Sequence, residues 1–190
     1  MEPEKLIAAG LISVVAIVGV IIGATYLTFD PSTSNNDNED EAMAPDTDLG
    51  DLNLEAPNWG LLTSDDEVLN LHDLRGKFVV VDLMQTGECL PCIEQTSHLK
   101  ELHNGHGDSI EIISLSLILT DTVSRLAQYK SENDIPWFVG LDTSGVFGEY
   151  FNVQYVPTLV IIDDEGYFRW YHGGLWEYDD MSKTLSQLDR

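Results

Sequence analysis

Basic residues are scarce in this chain of 190 residues: nine Lys and Arg stand against 33 Asp and Glu, a formal net charge of −24. No basic patch is available to offset phosphate charge, which excludes nucleic acid as a partner and makes anionic lipid headgroups a poor one. The acidity reads as a solvated surface suited to a salty medium, with steering of a basic partner as the alternative. Cysteine is scarcer still. There are two, Cys89 and Cys92, too few for the stapled framework of a small secreted domain. No second C-x-x-C accompanies them, so the usual ligand set of a structural zinc is missing. There is no internal repeat. Between Lys5 and Arg75 there is no Lys or Arg at all.

That gap contains Leu6 to Leu27, 22 residues without a charge. As a helix this stretch is roughly 33 Å long, enough to cross a bilayer core. It is longer than the apolar core of a signal peptide, and Ile22 before Ala24 fits a cleavage site poorly. An uncleaved single-pass anchor is expected over residues 6–27. Gly19 and Gly23 within it read as ordinary membrane-helix glycines rather than a dimer face, and a monomer is expected. With Lys5 and the α-amino group before the anchor, residues 1–5 should be cytoplasmic and the rest of the chain extracytoplasmic, on the cell membrane. Residues 28–56 are polar and acidic and read as a disordered linker. If flexible, its r.m.s. reach is roughly 30 Å.

From residue 57 to 190 the texture is that of one α/β domain. "NWGLLTSDDEVLNLHDLRGK" predicts two short strands around Ser64-Asp65-Asp66. The apolar run at 77–84 predicts a central strand covered on both faces. Residues 92–103 predict a helix with Ile93, Thr96, Leu99 and Leu102 on one face. A second buried strand follows at 110–118. Asp121 is a candidate cap for a helix running to about Asn133, with Val123, Leu126, Ala127 and Lys130 near one side. "SGVFGEYF" suggests a short helix, "PTLVIID" to "YFRWYH" a hairpin, and 177–188 a closing helix. The order β-β-β-α-β-α-β-β-α predicts an α/β sandwich with a mixed sheet.

Cys89 falls where a strand has ended and a helix begins. Free backbone amides and the helix dipole favour an anion there, and the thiolate is the anion that attacks a disulfide. Cys92 lies about one turn further on the same side, so the two sulfurs can join. Pro91 suits a first helical turn because it lacks an N–H. Leu90 fills the remaining position between them. A redox pair is the preferred reading, with Cys89 the exposed nucleophile and Cys92 the resolving thiol. A copper or zinc metallochaperone-like module is the alternative from another class, with His98, His103, His106 or a distant His172 as further donors. His103 and His106 read as solvated loop residues and His98 as a helix-surface residue. A structural disulfide is a third reading, though so small a loop constrains the unfolded chain little.

"APNW", "LHDLRGKFVVVDLM", "CLPC" and "FNVQYVPTLVIIDDEGYFRWYHGG" resemble successive landmarks of the thioredoxin superfamily, in its membrane-anchored TlpA/ResA-like branch, with peroxiredoxins as relatives. The resemblance covers about residues 55 to 190. It implies a thioredoxin-like fold, which narrows the sandwich to three layers with a mixed central sheet, and a thiol–disulfide oxidoreductase acting on protein thiols and disulfides, leaning toward reductase work with electrons from a membrane protein. It implies no bound cofactor and no resident metal. Pro157 would be cis, with Val156 offering backbone hydrogen bonds to an extended substrate. The chain departs from the family in two places. Glu88 stands where Trp commonly precedes the first cysteine. Asp82 lies seven residues before Cys89, where the family's buried acid lies six before. A carboxylate at Glu88 disfavours the adjacent thiolate, which suits a reductant. Thr86 has the T-x-x-C spacing of a peroxiredoxin, which leaves a thiol peroxidase as a minor alternative.

Overall fold

The computed structural model describes residues 46–143 and 145–189. The expected anchor at 6–27 lies outside the described residues, as does the expected linker up to residue 45. Among the described residues no helix is long and apolar enough to cross a membrane. Strands β1 (Asp46–Asp48), β2 (Gly60–Thr63) and β3 (Val68–Asn70) precede the central β4 (Phe78–Met84). Helix α1 (Leu90–His106) leads to β5 (Ile110–Ser116), and α2 (Val123–Glu132) leads to β6 (Phe138–Leu141). The short α3 (Val146–Tyr150) precedes the hairpin of β7 (Thr158–Ile162) and β8 (Phe168–Gly173), and α4 (Tyr178–Leu188) closes the chain.

The strands form one mixed sheet in the order β1-β8-β7-β4-β5-β6-β2-β3. β4, β5 and β6 run parallel, and β7 is antiparallel to β4. Alternation along β4 divides the core. Val80 and Met84 face a layer built with Leu99, Leu102, Leu126 and Leu185 from α1, α2 and α4. Val79, Val81 and Leu83 face the other layer, with Leu49, Leu71, Phe147 and Phe151. Successive side chains of a strand point to opposite faces, so a strand covered on both sides must be apolar throughout. Asp82 is the single polar residue of β4.

Several expectations need correction. The linker expected to run to residue 56 does not do so. Asp46–Asp48 pairs with β8, Glu55 bridges to Tyr167, and Leu49 and Ala56 are each 1% exposed. The domain therefore includes residues 46–56, because one leucine and one alanine find apolar sites and the backbone finds a sheet edge. β6 was not anticipated. It is four residues long, and its Gly140 passes so close to β2 that a Cβ there would lie 2.8 Å from the Leu62 carbonyl oxygen. Helix α1 runs on to His106, so His103 and His106 are helical, and Gly107 with φ 55° ends the helix. Ile93 is 44% exposed, and Cys92 and Gln95 take the inward positions of its turn. Thr122, not Asp121, caps α2, and Tyr129 rather than Ala127 packs inward with Leu126.

Leu49 tests the place of the first described segment. Leu49→Ala should lower the stability of the full chain to urea by roughly 2–4 kcal/mol, as expected for a truncated core leucine. An unchanged unfolding midpoint would mean that residues 46–56 contribute nothing to the fold.

Candidate active site at the end of the central strand

Strand register brings the site together. Leu83 of β4 pairs with Thr158, the first residue of β7, and Thr158 pairs with Gly173, the last of β8. Met84 pairs with Ser116, the last residue of β5. The segments following β4 and β5, preceding β7 and following β8 therefore meet at one end of the sheet. Ligand and catalytic groups of open α/β sheets gather at such a switch point, where neighbouring chains leave in opposite directions.

Cys89 and Cys92 sit there, joined as a disulfide. Cys89 is the N-cap of α1, and its sulfur accepts the backbone N–H of Cys92 at 3.2 Å. The first amides of a helix have no partner within it, so the sulfur occupies a place that favours negative charge once the bond is reduced. Cys89 is 6% exposed and Cys92 1%. Cys89 is thus the less buried residue of the two, but it is buried in the disulfide rather than exposed as the sequence led us to expect. Leu90 is 81% exposed, and Glu88 and Pro91 are exposed beside it. Pro91 lies in the first turn of α1, where its missing N–H leaves nothing unpaired.

The Val156–Pro157 bond is cis. Val156 is half-buried and packs against the layer that contains both cysteines. The Pro157 carbonyl accepts the N–H of Gly174 at 2.8 Å. Gln95, one turn beyond Cys92, is fully buried and holds the segment after β8: its Oε1 accepts the Trp176 N–H at 2.7 Å and its Nε2 donates to the Trp176 carbonyl at 3.0 Å. Nothing in the sequence marked Gln95, which lies off the face of Ile93, Thr96, Leu99 and Leu102 that the periodicity singles out.

Asp82 is 1% exposed, facing the α1 side of the sheet with Val80 and Met84. Its Oδ2 accepts the Ser114 hydroxyl at 2.8 Å, and Trp137 Nε1 donates to the Ser114 oxygen at 3.0 Å. Oδ1 has no partner. Burial pushes the carboxyl up to about 7, with the Ser114 hydrogen bond opposing the shift. The Tyr129 hydroxyl lies near Asp82 and Thr96 without a well-formed hydrogen bond, and burial raises its pKa. Thr96 in turn donates to the Cys92 carbonyl at 3.0 Å. A buried polar group thus underlies the redox helix, in which an acid titrates near neutrality.

The other candidate donors are dispersed. His172 Nδ1 meets Asp46 Oδ1 at 2.7 Å, and its ring stacks on Trp176 with centroids 4.6 Å apart. His98 Nδ1 accepts the Tyr178 N–H, and His106 meets Ser182. His103 lies against the Trp137 ring. Among the described residues no three His, Cys, Asp or Glu side chains gather where a metal could be held. Thr86, on which the peroxidase alternative rests, donates its hydroxyl proton to Asp121 at 2.8 Å.

Asp82 makes stability depend on pH. Its carboxyl titrates at about 7 in the fold against 3.8 as a model group. The fold holds the proton more tightly, so the stabilisation from the neutral acid is fully present below 3.8 and is lost as pH rises through about 7. Asp82→Asn should abolish this slope and stabilise the protein at pH 8 by roughly 1–4 kcal/mol, as expected from a shift of this size. The check is urea unfolding of the oxidised protein and the variant at pH 5 and pH 8. Parallel pH dependences would show that Asp82 is not the group responsible.

Comparison with known proteins agrees with this architecture. The thioredoxin-like protein YneN of Bacillus subtilis strain 168 is 24% identical over 69% of this chain and 76% of its own length. The thiol-disulfide oxidoreductase ResA of Bacillus thuringiensis subsp. konkukian is 26% identical over 61% of this chain and 66% of its own. In fold, the chain is similar to a thiol:disulfide interchange protein DsbE from Chlorobium tepidum, with TM-score 0.61 and 19% identity over 72% of this chain and 95% of that one. It is likewise similar to the exposed lipoprotein thioredoxin Etrx1 of Streptococcus pneumoniae strain TIGR4, with TM-score 0.58 and 24% identity over 69% of this chain and 99% of that one. The fold is therefore thioredoxin-like. The family model described as AhpC/TSA matches residues 52–171, well over half of the sequence, and the chain belongs to the AhpC/TSA family.

Proposed function

We propose that this protein is a thiol–disulfide oxidoreductase that exchanges the Cys89–Cys92 pair with protein partners, working as a reductase. The observation that carries this reading is the place of the Cys89 sulfur, at the start of α1 and 3.2 Å from the Cys92 amide. In the reduced state the Cys89 thiolate attacks a disulfide of the partner. One new S–S bond forms, and one sulfur of the partner leaves as a thiolate. Cys92 then attacks Cys89 and releases the second partner sulfur, leaving the partner as a dithiol and this protein as the disulfide. We assign the Cys92 proton to Asp82, the acid buried on the α1 side of the sheet whose carboxyl burial pushes up to about 7. A second dithiol must then return two electrons to the pair, and an electron-donor membrane protein fits that role.

Two sequence features support the direction and the place. Glu88 puts a carboxylate next to Cys89, which disfavours its thiolate and biases the pair toward reducing chemistry. The uncharged stretch at 6–27, with Lys5 as the basic residue before it, supports a membrane tether with the domain outside the cytoplasm. Extracytoplasmic substrates are those that carry disulfides to be reduced.

Cys92→Ser should accumulate mixed disulfides through Cys89, visible as higher-mass bands lost on reduction, whereas Cys89→Ser should give none. Trapping by Cys89→Ser alone would reverse the roles, and trapping by neither would remove exchange with protein partners.

A further inference from the structure

Four residues, 85–88, connect the end of β4 to Cys89. Gly87 and Glu88 are exposed and Gln85 is half-buried, while Thr86 is 2% exposed. Thr86 is therefore where the connection is anchored. Its hydroxyl donates to Asp121 Oδ2 at 2.8 Å, and Ser116 at the end of β5 donates to the same oxygen at 2.6 Å. The guanidinium of Arg125, on α2, donates to the Thr86 carbonyl. Asp121 and Arg125 are themselves fixed. The Asp121 N–H donates to the Ile118 carbonyl at 2.8 Å, and the Arg125 N–H donates to the Thr122 hydroxyl at 3.2 Å. From Thr86 onward little freedom remains, because the Cys89 N–H closes on the Gly87 carbonyl at 2.9 Å.

We propose that Thr86 is a positioning residue for Cys89, gripped at its hydroxyl by Asp121 and at its carbonyl by Arg125. This rests on the exchange reading above and deepens it. Four residues separate the end of β4 from Cys89, the N-cap of α1, and their freedom must be removed if the sulfur is to stay at the helix start. A helix-start amide stabilises a thiolate only when the sulfur is held against it, and Cys92 closes the ring only when the two sulfurs are aligned. The grip on Thr86 supplies that alignment from two elements, the loop after β5 and α2, that carry neither cysteine. It also gives Thr86 a role unrelated to peroxide, since its one hydroxyl proton is engaged with Asp121.

The test compares Thr86→Val, which keeps the shape and removes the donor, with Thr86→Ser, which keeps the donor. The readout is the rate of alkylation of Cys89 in the reduced full chain as a function of pH, with the modified residue located by peptide mass. Thr86→Val should slow alkylation at pH 7 by roughly tenfold, within the hundredfold that a misplacement of about 1 Å can cause, and should move the profile to higher pH. Thr86→Ser should retain the wild-type profile. If Thr86→Val fails to fold, Arg125→Met measured in high salt, where exposed charges are screened, should shift the profile in the same direction. A wild-type profile in the folded variant, whatever its stability, would overturn the proposal. A reduced wild type that fails to reduce oxidised glutathione would instead count against the exchange reading, and the alkylation profiles would still report on Thr86.

Discussion

The site depends on one constraint: a helix must begin within a few residues of the end of a fully buried strand. β4 lies between β5 and β7 and is covered on both faces, so its end cannot wander. α1 then starts with amides that have no helical partner. The Cys89 sulfur meets one of them, that of Cys92. A serine or aspartate usually occupies such a cap. A cysteine there gains an environment that tolerates its charge, which turns a structural requirement into reactivity. The antiparallel return of β7 places Pro157 at the same end of the sheet, and the return of β8 brings Gly174 to the Pro157 carbonyl.

Beneath the helix the core departs from the apolar rule. Asp82, Ser114, Gln95 and Thr96 are all buried, and Trp137 bonds into the group through Ser114. A carboxylate in such a layer with one unpaired oxygen is destabilising when charged. Gln95 meets the same difficulty differently. All three of its polar contacts, two with the Trp176 backbone and one with the Met181 sulfur, lie in the segment after β8 or in α4. One buried polar group is thus satisfied and structural, and the other is incompletely satisfied and titratable. That acid lies on the α1 side of the sheet, where burial raises its pKa.

Much of this was legible in the sequence. The apolar run of β4, the cysteine pair at its end, the Ser64–Asp66 turn and the hairpin before α4 all carry strong local signals. The elements missed have weak ones. β1 is Asp-Thr-Asp and reads as linker, because its place comes from backbone pairing at an edge. β6 is four residues with a glycine inside it, and its identity comes from β5 and β2 on either side. The spacing of Asp82 left its role open, since counting along a chain does not show which face of a strand a residue takes. The register does: Asp82 shares a face with Val80 and Met84 and lies under α1. Asp121 read as a helix cap because it precedes one, but its carboxylate turns instead to Thr86 and Ser116. Such long-range hydrogen bonds leave no periodic trace in the sequence.

The central claim is that Cys89–Cys92 is a reversible redox couple rather than an inert staple. The most direct measurement is equilibration of the full chain with thiol–disulfide buffers of stepped potential, followed by counting free thiols at each step. The account predicts a reversible two-electron transition above about −300 mV, in the range of exchange-active pairs. A pair that stays oxidised until well below about −300 mV would behave as a structural disulfide and contradict it.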